Sequence, residues 1–112
     1  MEPWSIYVQS QFIALHRWIE APEEVSFLRD WHRHVFHVRI DLRVLHNDRE
    51  LEFFLVQKDL RNVLWQWEAL RVEKSCEMFC EEIAKALQKK YPTLCRVEVS
   101  EDGENGAVLS VA

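Results

Sequence analysis

The sequence sets two histidines two residues apart, in the run Trp31-His32-Arg33-His34. At the start of an extended strand, this spacing turns both imidazoles to the same face, because side chains alternate along a strand. His16 follows residues 4–15 (WSIYVQSQFIAL), a stretch rich in β-branched and aromatic residues that reads as a strand. A third imidazole from the end of a neighbouring strand would complete a facial set of three nitrogens. Three histidines with a water in the fourth position form an open catalytic zinc site. Neutral imidazole suits zinc with no sulfur ligand. The same spacing also suits two ordinary, partly exposed histidines. His37 and His46 read that way, one on the polar side of a strand and the other in a turn. Cys76 and Cys80 lie four apart on one helix face, so they could join a metal site or sit as buried free thiols.

The elements that must position these groups can be read along the chain. Residues 17–30 contain Pro22 and four acidic residues and read as a long loop with a helical turn. Residues 33–45 form the clearest strand. Phe36, Val38, Ile40, Leu42 and Val44 alternate there with mostly polar neighbours. His46-Asn47-Asp48 signals a turn, and residues 50–56 (ELEFFLV) read as a returning third strand. Leu60, Val63, Leu64, Trp67 and Leu70 fall at helical spacing within residues 58–70. Ser75 suits the N-cap of a second helix over residues 76–90, which Pro92 stops. Residues 94–100 and 107–111 read as a closing hairpin. Antiparallel hairpins with two helices packed on one face make an α+β fold.

Bulk properties bound the function classes. The 112 residues fit a single domain, 1–112. The formal net charge of −5, from 14 basic and 19 acidic residues, disfavours nonspecific binding to nucleic acid or to anionic membranes. No apolar run reaches the ~18 residues that a membrane span needs. The first ten residues lack the basic start and apolar core of a secretory signal. Three cysteines make no disulfide framework, so a cytoplasmic location with reduced thiols is expected. Two glycines leave no room for a glycine-rich phosphate loop.

At its histidines the chain resembles the 6-pyruvoyl-tetrahydropterin and 6-carboxytetrahydropterin synthases. That family ends its first strand with a phenylalanine, a small residue and a zinc histidine, and here the run is Phe12-Ile13-Ala14-Leu15-His16. The family's His-Gly-His, followed by an aromatic and alternating valines, is matched by His32-Arg33-His34-Val35-Phe36-His37-Val38. Its Pro-Thr-Ser-Glu helix start is matched by Lys74-Ser75-Cys76-Glu77. Its ring-gripping glutamate near the last hairpin is matched by Glu101, in Val97-Glu98-Val99-Ser100-Glu101 before Gly106-Ala107-Val108. The resemblance covers nearly the whole chain in order. It implies zinc on His16, His32 and His34, with Glu101 and Glu77 binding a pterin or purine. It also implies trimers or hexamers whose sheets close into barrels, the tunnelling fold.

By the same resemblance, the chain is an enzyme of pterin or 7-deazapurine metabolism, as in queuosine biosynthesis. Such an enzyme is a carbon–oxygen lyase acting on dihydroneopterin triphosphate or a related compound. Some features depart from the pattern. Leu28 stands where the family has a catalytic cysteine, Arg33 replaces the middle glycine, and Trp67-Glu68-Ala69-Leu70-Arg71 holds no Asp-His pair. Some relatives use a carboxylate nearer the histidines, and Asp30 could play that catalytic part, as could Glu23 or Glu24 from the loop. The alternative is a catalytically reduced, zinc-bearing paralogue that binds a pterin or purine or serves as an assembly subunit.

Overall fold

The computed structural model describes residues 3–112. Four strands, β1 (Ser5–His16), β2 (His32–Arg43), β3 (Leu94–Glu101) and β4 (Asn105–Ser110), form one antiparallel sheet in the order β1-β2-β3-β4. Helices α1 (Phe53–Leu64) and α2 (Cys76–Leu87) lie between β2 and β3 in sequence and cover one face of the sheet. A short 3₁₀ segment, Glu23–Arg29, interrupts the loop that joins β1 to β2. The α+β class is as expected from the sequence. No helix among the described residues is long and apolar enough to cross a membrane.

The core follows from alternation. Val8, Phe12 and Ala14 on β1, Phe36, Val38, Ile40 and Leu42 on β2, and Val97 and Val99 on β3 point to the helix side and are buried. Against them α1 sets Val56, Leu60 and Leu64, and α2 sets Phe79, Cys80, Ile83 and Leu87. Phe12 lies 5.0 Å from Phe36, 5.4 Å from Trp67 and 5.1 Å from Phe79, centroid to centroid, so one aromatic cluster fills the end of the core nearest the histidines. Burying such side chains contributes about 1.5–3 kcal/mol each.

Residues 50–56 are not a strand, which corrects the expectation. Glu52 caps α1, its carboxylate accepting hydrogen bonds from the Phe54 and Leu55 amides, and the helix runs from Phe53. The apolar run misleads because Phe53, Phe54 and Leu55 are exposed, whereas the buried stripe begins at Val56 and continues at helical spacing to Leu60 and Leu64. The neighbour of β2 on its second side is therefore β3. The expected helix over 58–70 ends at Leu64 and gives way to a 3₁₀ turn, Trp65–Trp67. The second helix begins at Cys76, where the Ser75 hydroxyl accepts a hydrogen bond from the Met78 amide.

Candidate metal centre

The inward-facing rows of three strands end at one edge of the sheet in polar residues. In the β1–β2 register His16 stands opposite His32, and Ala14 opposite His34. His34 and His32 thus continue the inward row of Phe36, Val38 and Ile40, and His16 continues that of Phe12 and Ala14. The row of Val97 and Val99 on β3 continues to Glu101. The helices bury the apolar part of each row and leave these ends facing a cleft.

The three rings converge. Their centroids lie 4.5 Å (His16–His32), 5.1 Å (His16–His34) and 5.0 Å (His32–His34) apart. One ring nitrogen from each lies within 4.8 Å of the others. The Nδ1 atom of every ring faces an oxygen. His16 donates to the Lys74 carbonyl at 2.9 Å, His32 to the Asp30 carbonyl at 2.8 Å, and His34 to the Asp102 carboxylate at 2.6 Å. A carbonyl or carboxylate oxygen only accepts, so Nδ1 carries the proton and the neutral ring keeps a free lone pair on Nε2. Metal-binding histidines are oriented in this way, by an oxygen acceptor on the nitrogen that does not ligate.

Each acceptor is held by a different part of the fold. Residues 69–72 run along β1, with the Ala69 amide donating to the Ile13 carbonyl and the Val72 amide to the Leu15 carbonyl. This track carries Lys74 to His16. Asp30 closes the 3₁₀ segment beside β2. Asp102 opens the β3–β4 turn with a φ of 56°, a left-handed conformation that aspartate tolerates. Its second oxygen accepts from the Val35 amide at 2.9 Å. The His34 bond, and after it the Val35 amide, hold its carboxyl below the usual range. At Gly106 on β4, opposite Ser100 on β3, an added Cβ would lie 2.3 Å from the Val99 carbonyl oxygen, so the close approach of the strands requires glycine.

His16 is the buried member, and burial pushes its imidazole below its ordinary pKa, against the raising effect of the Lys74 carbonyl. Its Nε2 is buried and makes no hydrogen bond. The Glu101 carboxylate approaches to 3.1 Å without the alignment of one. Three ring nitrogens within 4.8 Å of one another, one of them shut away from water, form a site suited to a cation. The nitrogen-only donor set suits zinc.

The cleft above the rings has a volume of about 620 Å³. Its walls come from the loop after β1 (Trp18, Ile19, Leu28), the first turn of α2 (Ser75, Cys76, Glu77) and the last hairpin (Asn105, Gly106), with Glu101 beside the histidines. Both carboxylates expected to bind substrate, Glu77 and Glu101, thus face one cleft. Asp30 is not on its wall. Its carbonyl supports His32, a role that side-chain type does not reveal. Glu23 pairs with Arg29 at 3.4 Å. Cys76 lines the cleft, but burial, reinforced by the Glu101 carboxylate, pushes its thiol up to about 12, which keeps it protonated and a poor nucleophile. Cys80 is pushed to about 11, mainly by burial. Sequence reasoning missed Lys74 and Asp102; only the Asp-Gly turn signal beside Glu101 marks the latter.

No protein-family model matches the sequence, and no curated protein does. Solved structures do. The chain is similar to 6-pyruvoyl tetrahydropterin synthase from Caenorhabditis elegans, with 13% identity, a TM-score of 0.78, and coverage of 99% of this chain and 98% of that one. The Plasmodium vivax 6-pyruvoyl tetrahydropterin synthase gives 14% identity, a TM-score of 0.69 and coverage of 96% and 98%. A variant of the P. vivax protein, with cysteine in place of a catalytic glutamate, gives 13%, 0.66, and coverage of 96% and 98%. The fold is that of the 6-pyruvoyl tetrahydropterin synthases, so the resemblance read from the motifs holds at the level of the fold.

Proposed function

We propose that the chain is a zinc-dependent enzyme of pterin or 7-deazapurine metabolism, acting on dihydroneopterin triphosphate or a related compound. The observation that carries this reading is the convergence of three Nε2 lone pairs, each ring fixed through Nδ1, at the base of a substrate-sized cleft on this fold. His16, His32 and His34 would hold the zinc, which when bound supplies a Lewis acid to polarise an oxygen of the substrate. The Glu101 carboxylate can accept two parallel hydrogen bonds from the amidine edge of a pterin or guanine ring. Glu77, in the first turn of α2, adds a second acceptor on the same wall. Asp30, at the entrance to β2 and off the cleft wall, is the carboxylate assigned to proton transfer, and its side chain would have to turn into the cleft to serve there.

A second reading is favoured by a specific observation. Leu28 stands on the cleft wall where the resemblance places a reactive cysteine. The segment expected to carry an Asp-His pair is committed to structure, with Glu68 accepting from the Ile13 amide at 2.9 Å. In this reading the protein binds a pterin or purine without turning it over. The exposed outer edge of β4 and the exposed Phe53, Phe54 and Trp65 support assembly into a trimer or hexamer, with the sheets closing into a barrel. We place the protein in the cytoplasm.

Turnover of dihydroneopterin triphosphate, measured beside calorimetric titration with pterins and guanine nucleotides, tests the proposal. Asp30→Asn keeps the backbone carbonyl that supports His32, so zinc should stay bound while turnover falls by about 10²-fold or more. Binding without turnover, unchanged by Asp30→Asn, would leave the binder. Neither binding nor turnover would overturn both readings.

A further inference from the structure

We propose that Glu101 is a fourth ligand of the same metal centre, so that the resting site is closed by three histidines and a carboxylate and opens only when a substrate donor displaces that carboxylate. The inference rests on the metal reading of His16, His32 and His34, and adds to Glu101 a role besides ring binding.

The geometry supports the assignment. The two Glu101 oxygens lie 3.1 Å from Nε2 of His16 and 3.9 Å from Nε2 of His34. Two donors on one tetrahedral ion with bonds of about 2.0–2.1 Å stand about 3.3–3.4 Å apart, so one carboxylate oxygen already lies near ligand-to-ligand distance from His16, and the other faces His34 from somewhat farther off. The contact is not a hydrogen bond. With the His16 proton given to the Lys74 carbonyl, Nε2 presents a lone pair, and Glu101 presents another against it. Two acceptors at that separation repel unless a cation lies between them. Among the described residues, the ionic neighbours of this carboxylate are His16 and His34, and no lysine or arginine balances it.

Sequence order explains how one hairpin serves the site twice. Glu101 ends the inward row of β3 and faces the free nitrogens, while Asp102 turns away and holds His34 through Nδ1. Three neutral imidazoles leave the full charge of a divalent cation uncompensated, and one carboxylate halves it. Glu101 is partly solvent-exposed at the cleft wall, so it can swing off as a substrate oxygen or nitrogen arrives. The carboxylate released from the ion is then free to grip the ring.

Cobalt(II)-substituted protein gives the test, by titration with azide followed in the visible d–d bands, beside zinc affinity from chelator competition. The wild type should hold zinc at least about 10-fold more tightly than Glu101→Gln. The variant, with an open fourth position, should bind azide at least about 10-fold more tightly than the wild type. Glu104→Gln, on the turn outside the cleft, should match the wild type in both. Matched thermal unfolding of the metal-free proteins separates ligand loss from misfolding. Equal zinc and azide affinities in wild type and Glu101→Gln would overturn the assignment of Glu101 while leaving the three-histidine site standing. Absence of metal binding by the wild type would overturn the site itself and this inference with it.

Discussion

Replacing Asp102 by asparagine should disable His34 as a ligand without touching the ring. The carboxylate accepts at both oxygens, from His34 Nδ1 at 2.6 Å and from the Val35 amide at 2.9 Å. Asparagine is nearly the same shape and tolerates the left-handed conformation at φ 56°, so the turn survives. Its amide offers one acceptor where two are needed. If the oxygen stays on Val35, the NH₂ group meets the Nδ1–H of His34, donor against donor. The ring escapes by moving its proton to Nε2, which removes the lone pair that a metal needs. If the amide turns over instead, the Val35 amide loses its partner and the strand end loosens. Loss of an oxygen acceptor behind a metal-bound histidine weakens metal affinity by about 10–100-fold. Competition with a chromophoric chelator at neutral pH reads this directly, with metal-free thermal unfolding recorded alongside. Affinity unchanged to within about twofold would refute the tautomer argument, because the whole expected effect lies well above that.

Phe36→Ala removes a fully buried ring whose centroid lies 5.2 Å from His16 and 5.7 Å from His34; urea unfolding should show a loss of about 3–5 kcal/mol, with weaker metal retention. Tyr91 donates to Asp59, whose carboxyl is held low by that bond and then by Lys90, while burial, then Asp59, pushes the tyrosine up to about 12. The Asp59 contribution should be full above its unfolded value of 3.8 and fade as pH falls through the lower folded value; the Tyr91 contribution should be full below 10.0 and fade as pH rises toward 12. Tyr91→Phe should lower stability at neutral pH by about 1 kcal/mol and flatten both limbs of the pH–stability curve. Sedimentation at micromolar concentration should show a trimer or hexamer; a monomer would refute the assembly.

The alternating strands were legible because their pattern is local. Phe36, Val38 and Ile40 repeat every second residue, so the inward face of β2 and the common direction of His32 and His34 follow from the sequence. The pairing of His16 with His32 is a matter of register, and the order of the motifs was enough to suggest it. Residues 50–56 misled because a run of exposed aromatics at the start of a helix carries the composition of a strand. Extending the window from Val56 to Leu60 and Leu64 shows the helical period, and Glu52 is the matching N-cap. The supports of the site were less legible. Two of the three Nδ1 acceptors are main-chain carbonyls, of Lys74 and Asp30, and every residue type carries one. The third, Asp102, reaches His34 through the β2–β3 register, which shifts at Asp41/Leu42 and has no local signature. The approach of Glu101 to the histidines depends on the same register.

Whether His16, His32 and His34 hold a metal ion is decided by elemental analysis of protein purified without chelator. The wild type should carry about one zinc per chain, and His32→Ala, at a half-buried ring outside the apolar core, should lose it. No stoichiometric metal in the wild type, or equal metal in the two proteins, would contradict metal binding by these histidines.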